Sequence, residues 1–195
     1  MDADWSVELG ADDPALELPW SSPDGVQAYV DLSNDLQRLS EIPEAVQYPP
    51  MMSFLVGLNA SRLQLSPWLS AKCDVWVDNE VGAATDFWPH TCHWRVGSYV
   101  DIVRREESQR FAFDQHERWM TAATACLHRF PDGPYSCEFV LRRCYFHLDA
   151  DSSESTPGFF LTVYLNGYGF EKVHAEGAWK GGLDRVSHAL LTVTL

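Results

Sequence analysis

No two cysteines in this chain are spaced as CxxC, no HExxH occurs, and GxGxxG, GxxxxGK[ST] and GxSxG are all missing. These absences remove the sequence signatures of zinc ribbons, zincins, dinucleotide and phosphate loops and α/β-hydrolase elbows. Nor is there an apolar run of roughly 18 residues, the length a membrane-crossing helix needs. The opening Met1-Asp2-Ala3-Asp4 is acidic and carries no apolar core of a secretory signal. Positive charge is scarce: 14 Lys and Arg stand against 28 Asp and Glu, a net charge of −14. Such a balance opposes phosphate backbones and anionic bilayers, so neither nucleic acid nor membrane is expected as a partner. The expected compartment is the cytoplasm, where the five cysteines Cys73, Cys92, Cys126, Cys137 and Cys144 read as small buried hydrophobes.

The acidity is uneven. Residues 1–50 hold 11 acidic side chains and one basic one, Arg38; residues 51–195 hold 17 and 13. The first part is an acidic arm that meets a basic partner, or a solubilising surface. It is broken by Asp12-Asp13-Pro14, Ser21-Ser22-Pro23-Asp24-Gly25 and Tyr48-Pro49-Pro50. Between these breaks, Trp5–Leu9 and Val26–Leu32 read as short strands, Asp35–Leu39 as a helical turn and Met51–Leu58 as a short helix. No low-complexity linker divides the chain. One domain is expected, with residues 1–65 as arm and 66–195 as core.

The core has clearer periodicity. Ala71–Asp78 and Trp94–Arg104 alternate as strands. Trp119, Met120, Ala123, Cys126, Leu127 and Phe130 form a helical stripe that Pro131-Asp132-Gly133-Pro134 ends. Cys137–Leu148 and Phe159–Asn166 are two further strands, and Glu171–Val193 is a last helix. The expected fold is α+β: a largely antiparallel four-stranded sheet with two helices on one face. The ββαββα order fits a ferredoxin-like unit with its last strand moved to the front, or a duplication of ββα with Trp119 and Trp179 in matching places. Three glycines in the last helix, Gly177, Gly181 and Gly182, read as close helix–sheet packing, a late helix start or a close approach to a ligand. Asn166-Gly167-Tyr168-Gly169 reads as a turn.

Alternation also assigns the faces. Asp74, Trp76, Asp78, Arg95, Tyr99, Asp101, Glu138, Arg142, Phe160, Thr162 and Tyr164 point away from the helices. On the third strand, Cys137, Phe139 and Leu141 have one parity and Cys144, Phe146 and Leu148 the other, so a bulge near Arg142-Arg143 is predicted. Three readings of the far face compete: cover by the arm through Trp5, Trp20, Tyr29 and Leu32; a protein partner; or a small ligand held between arm and sheet. Its candidate binding residues are Trp76, Arg95, Tyr99, Asp101, Arg142 and Tyr164.

The other chemical candidates are weaker. His90, Cys92 and His93 offer a metal three ligands at most, and neighbouring Cys92 and His93 cannot easily turn to one ion in extended chain. No cofactor is expected. Cys92 or Cys144 could meet His116 or His147 as a nucleophile pair. His116, on the helical stripe, reads as a core-edge histidine with one nitrogen satisfied, and Asp114 with Glu117 as a capping box. The expected function is non-catalytic binding of another protein, with a basic partner the natural complement. Proteins of the immunity type are analogous in charge and size alone. The alternative is a small-molecule site or an enzyme that uses Arg95, Asp101, Arg142 and His93.

Overall fold

The computed structural model describes residues 1–18, 30, 32, 35–60, 67–79, 92–147 and 154–193. Its elements are β1 (Asp2–Glu8), β2 (Leu16–Leu18), a 3₁₀ helix (Leu36–Glu41), α1 (Pro43–Gln47), α2 (Pro49–Asn59), β3 (Trp68–Asp78), β4 (Trp94–Arg104), a second 3₁₀ helix (Glu107–Gln109), α3 (Phe113–Leu127), β5 (Tyr135–His147), β6 (Ser155–Gly169) and α4 (Lys172–Thr192). The architecture is mixed α+β, and the sheet is mostly antiparallel. It has six strands rather than the four expected, because the arm adds two. The order runs β1-β5-β6-β4-β3, with β2 also on β5. Both arm strands pair parallel with β5, end to end: Asp2–Glu8 against Ser136–Arg142, then Leu16–Leu18 against Cys144–Phe146. The sheet thus joins segments 128 to 134 positions apart, a pairing no local pattern announces.

The helices lie on one face. Phe139, Leu141, Leu161, Val163, Leu165, Val100 and Ile102 meet Trp119, Met120, Ala123, Leu127, Trp179, Leu183 and Val186 there. Both helix tryptophans are buried, and each indole N–H has a partner: Trp119 donates to the Val193 carbonyl at 3.0 Å and Trp179 to Ser98 Oγ at 2.8 Å. Most of the apolar arm residues described join this side, while Leu16 and Leu18 of β2 pack on the far one, and the arm strands widen the sheet rather than lie across it. Trp5 and Leu32 pack with the helix-side core, as do Leu39, Ala45, Met51, Phe54, Leu55 and Leu58. Odd residues of β1 follow the parity of Phe139 through the pair Trp5–Phe139, and even ones take the opposite face. Trp20, Tyr29 and most of the predicted strand Val26–Leu32 fall outside the described residues.

Three local expectations are corrected. The β5–β6 register is unbroken through Arg142–Phe160, Arg143–Phe159 and Cys144–Gly158, so no bulge lies at Arg142-Arg143. The apolar side changes face because a second, smaller core forms on the far side, from Leu16, Leu18, Val103, Cys144, Phe146 and Phe160. A bulge does occur in β3, between Ser70 and Lys72. It lets Trp68 and Cys73, of opposite parity, both face the helices. Asn59 at the end of α2 holds it, donating to Ser70 Oγ at 2.7 Å and accepting from the Ser70 amide at 3.3 Å. The predicted capping box does not form either. Helix α3 starts two residues before the expected position, with Ala112 rather than Asp114 at the cap and no side-chain cap bond, and Asp114 instead pairs with Arg118 at 2.8 Å.

Asn166-Gly167-Tyr168-Gly169 is not a turn but the end of β6. A Cβ at Gly167 would collide with the backbone of Trp179, and one at Gly169 with the backbone of Ala175. The bare backbone of β6 is what lets α4 lie directly on the sheet. Within α4, Gly182 meets Leu165 Cδ1, which a Cβ would approach to 2.9 Å, whereas Gly177 faces open space. Gly167→Ala is therefore expected to cost about 3 kcal/mol or more through overpacking against backbone. Gly177→Ala should raise stability by up to about 1 kcal/mol through helix propensity. Urea unfolding of the two variants checks both signs.

Candidate functional site

The far face of the sheet carries a connected polar network. Alternation along β1 brings Asp2, Asp4, Ser6 and Glu8 to this side, next to Ser136, Glu138, Val140 and Arg142 of β5. Arg142 is its hub. The guanidinium donates to Glu8 Oε2 from Nε at 2.8 Å and from NH2 at 2.6 Å, to Thr162 Oγ1 at 2.8 Å and to Tyr164 Oη at 3.1 Å. The Thr162 hydroxyl in turn donates a hydrogen bond to Asp101 Oδ1 at 2.7 Å. A single line of hydrogen bonds therefore crosses β1, β5, β6 and β4. Arg142 is largely engaged within the fold; its task is to tie the parallel edge strand to the sheet and to orient Thr162.

Asp101 lies beneath this network with 7% of its surface exposed. Burial pushes its carboxyl up to about 6, against the pull of the Thr162 hydroxyl, Arg142 and Lys72. Lys72 is opposite Asp101 in the β3–β4 register. Its ammonium lies 6.0 Å from the ring centre of Tyr99. Tyr99 pairs across the strands with Tyr164, their rings 6.1 Å apart and tilted by 57°. Burial raises the Tyr99 hydroxyl above its ordinary range, and Asp101 and Asp74 add to the shift. The two rings are flanked by Asp74 of β3 and Glu138 of β5 in the same cross-strand row.

Of the residues singled out from the sequence, Tyr99, Asp101, Arg142 and Tyr164 come together here. Trp76 and Arg95 lie farther along. Trp76 is opposite Gly97, and a Cβ on that glycine would run into the indole. Arg95 pairs with Asp78, its register partner, through Nε at 2.9 Å and through NH2. Four residues along β4 separate it from Tyr99, about 13 Å of strand. Glu8, Lys72 and Ser6 complete the cluster and were not singled out beforehand. The signal for the β1 residues was the alternation of Met1, Ala3, Trp5 and Val7 with polar neighbours, but nothing local said which strand they would join.

The remaining candidates are separated by the fold. Cys144 sits in the small far-side core and His116 beneath α3 on the opposite face, so they do not meet. Cys144 and His147, three apart on one strand, point to opposite faces. His147 instead faces Glu17 at 3.7 Å. The His93 amide donates to the Gly169 carbonyl at 3.1 Å, and its ring meets Phe170 at 5.1 Å. His90 lies outside the described residues. Among the described residues no three His, Cys, Asp or Glu side chains converge as a metal site, and no helix is long and apolar enough to cross a membrane. Burial pushes the thiols of Cys73 and Cys144 up to about 12 and that of Cys137 higher still, which opposes formation of a nucleophilic thiolate.

No family model, no curated protein and no solved structure matches this chain.

Two measurements test this description. Asp101 has a folded pKa of about 6 against an ordinary 3.8, so its contribution to stability is full below 3.8 and is lost as pH rises through about 6. The stability of the wild-type protein relative to Asp101→Asn should therefore fall by about 2–3 kcal/mol between the two values. Urea titrations of both proteins across this range should show it, and a flat difference would sink the buried-carboxylate account. Separately, N-ethylmaleimide followed by mass spectrometry should label Cys137 and Cys144 only at the rate of unfolding.

Proposed function

We propose that this protein is a non-catalytic binding module whose open sheet face receives a segment of another protein rich in lysine and arginine. One observation carries the reading. Asp2, Asp4, Asp74 and Glu138 share this face with Tyr99, Tyr164 and Trp76, and among the described residues none of these four carboxylates forms an ion pair. Acids without counter-charges supply steering and complementarity to a cationic partner. Flanking rings supply flat area and cation–π attraction once the partner is desolvated. The net charge of −14 works in the same direction at longer range.

The alternative, an enzyme or small-molecule site, would centre on Asp101, whose raised pKa is of the kind a general acid or base needs. Its carboxylate is held by Thr162 rather than presented to solvent, which favours the docking reading.

On the fold itself, we read β3–β4–α3–β5–β6–α4 as a ferredoxin-like βαββαβ unit with the last strand moved to the front. The order β5-β6-β4-β3, antiparallel throughout, supports this, as do the buried tryptophans that α3 and α4 place in matching positions. In that reading β1 and β2 are additions to its edge.

The docking role is tested with a fluorescent Lys/Arg-rich peptide and two double variants of equal charge. Asp74→Asn with Glu138→Gln alters the face; Glu107→Gln with Asp184→Asn alters exposed sites elsewhere. At about 50 mM salt the first pair should weaken binding about tenfold or more and the second by less than about threefold. Equal losses would mean that net charge alone attracts the peptide and would overturn the proposal.

A further inference from the structure

The helix side of the sheet holds a second polar feature, independent of the open face. Arg104 ends β4 and is 5% exposed. Its guanidinium stacks 3.9 Å from the ring centre of Trp68 and 5.5 Å from that of Trp119. Arg38, Arg95, Arg118 and Arg142 each hold a carboxylate. Among the described residues Arg104 holds none, and its Nε–H is buried without an acceptor. A buried guanidinium in that condition is costly unless an anion meets it.

Beside it lies a group of the opposite need. His116 is fully buried in the second turn of α3 and meets the same indole at 6.2 Å. Its Nδ1–H donates to the Ala112 carbonyl at 2.9 Å, so Nε2 carries the lone pair, and Nε2 is buried without a donor. Burial pulls this imidazole down to about 4; the Ala112 hydrogen bond opposes that, and the charge of Arg104 adds to it. Arg104 is the charged group from β4 that acts on it. The neighbours supplied by β3 and β6, Trp68 and Phe159, are uncharged rings. On α3 itself Asp114 is exposed and paired with Arg118. Phe113, 36% exposed, meets Phe159 edge to face at 5.7 Å and continues the rings outward to the surface. The first turn of α3 has no side-chain cap, so its amides add positive potential at the same end.

We propose that Arg104 and His116 form a site for a small organic carboxylate with an apolar body, taken up together with one proton. The carboxylate accepts from Arg104. The proton goes to His116 Nε2, which turns from an unpaired acceptor into a second donor to the same anion. The rings of Trp68, Phe159 and Phe113 receive the apolar body, which selects against inorganic phosphate.

Benzoate is the probe, followed by calorimetry in two buffers of different ionisation enthalpy. The intact protein should bind it with uptake of one proton. Because free His116 titrates near 4, the dissociation constant should rise about tenfold per pH unit above about pH 5. Arg104→Met should remove binding while leaving the melting temperature equal or higher, since an unpaired buried cation is replaced by an apolar chain. Should that variant fail to fold, His116→Gln, which cannot take up a proton, should bind more weakly and without pH dependence. No benzoate binding at about 20 mM, binding without proton uptake, unchanged binding in either variant, or phosphate bound more tightly than benzoate would each overturn the site.

Discussion

Helix α4 rests on strand β6 through backbone, and most of the molecule's organisation depends on that contact. Gly167 and Gly169 leave no room for side chains between the strand and the first turns of the helix. Trp179 can then sink into the sheet and reach Ser98. With one face of the sheet taken up in this way, period-two alternation leaves no choice about the other. Each strand that contributes Phe139, Val163 or Val100 to the core must turn Glu138, Thr162, Tyr164, Tyr99 or Asp101 outward. The polar face is the geometric consequence of the apolar one.

What that face becomes depends on charge as well as geometry. Arg142 could have been an exposed cation; instead its hydrogen bonds run to Glu8, Thr162 and Tyr164. Negative charge is thereby left in excess around the paired tyrosines, and Asp101 is held under a threonine hydroxyl in a low-dielectric setting that lifts its pKa. The same protein treats Arg104 in the reverse manner, burying it against two indoles with no carboxylate partner among the described residues. The two faces of one sheet thus carry opposite imbalances among the described residues, an excess of carboxylates on one and a guanidinium with no carboxylate partner on the other.

The strands and long helices of the core were legible because their apolar residues repeat with a clear period. Trp94–Arg104 was read to the residue, and α4 to within one position at each end. The far-face assignments for Trp76, Tyr99, Arg142 and Tyr164 followed from the same periodicity. The failures have specific causes. The parity change in β5 was read as a bulge because a strand with apolar residues on both faces looks identical, in one dimension, to a strand that slips by one. The glycines of β6 looked like a turn because glycine marks both turns and close backbone contacts. The start of α3 at Phe113 is not legible locally, because Asp114 pairs with Arg118 and does not serve as a cap.

The sequence by itself determined which residues would share a face, since side-chain direction along a strand or helix is set by local backbone geometry. It also determined the excess of negative charge and the absence of the common cofactor motifs. Only the tertiary structure decided that Asp2–Glu8 and Leu16–Leu18 would extend the sheet parallel to β5, that Glu8 would meet Arg142, and that Arg104, with no carboxylate partner among the described residues, would lie near a histidine whose Nε2 has no donor. Those outcomes depend on contacts between segments distant along the chain. Their free energies come from burial and charge pairing in the assembled fold, and no stretch of sequence carries them alone.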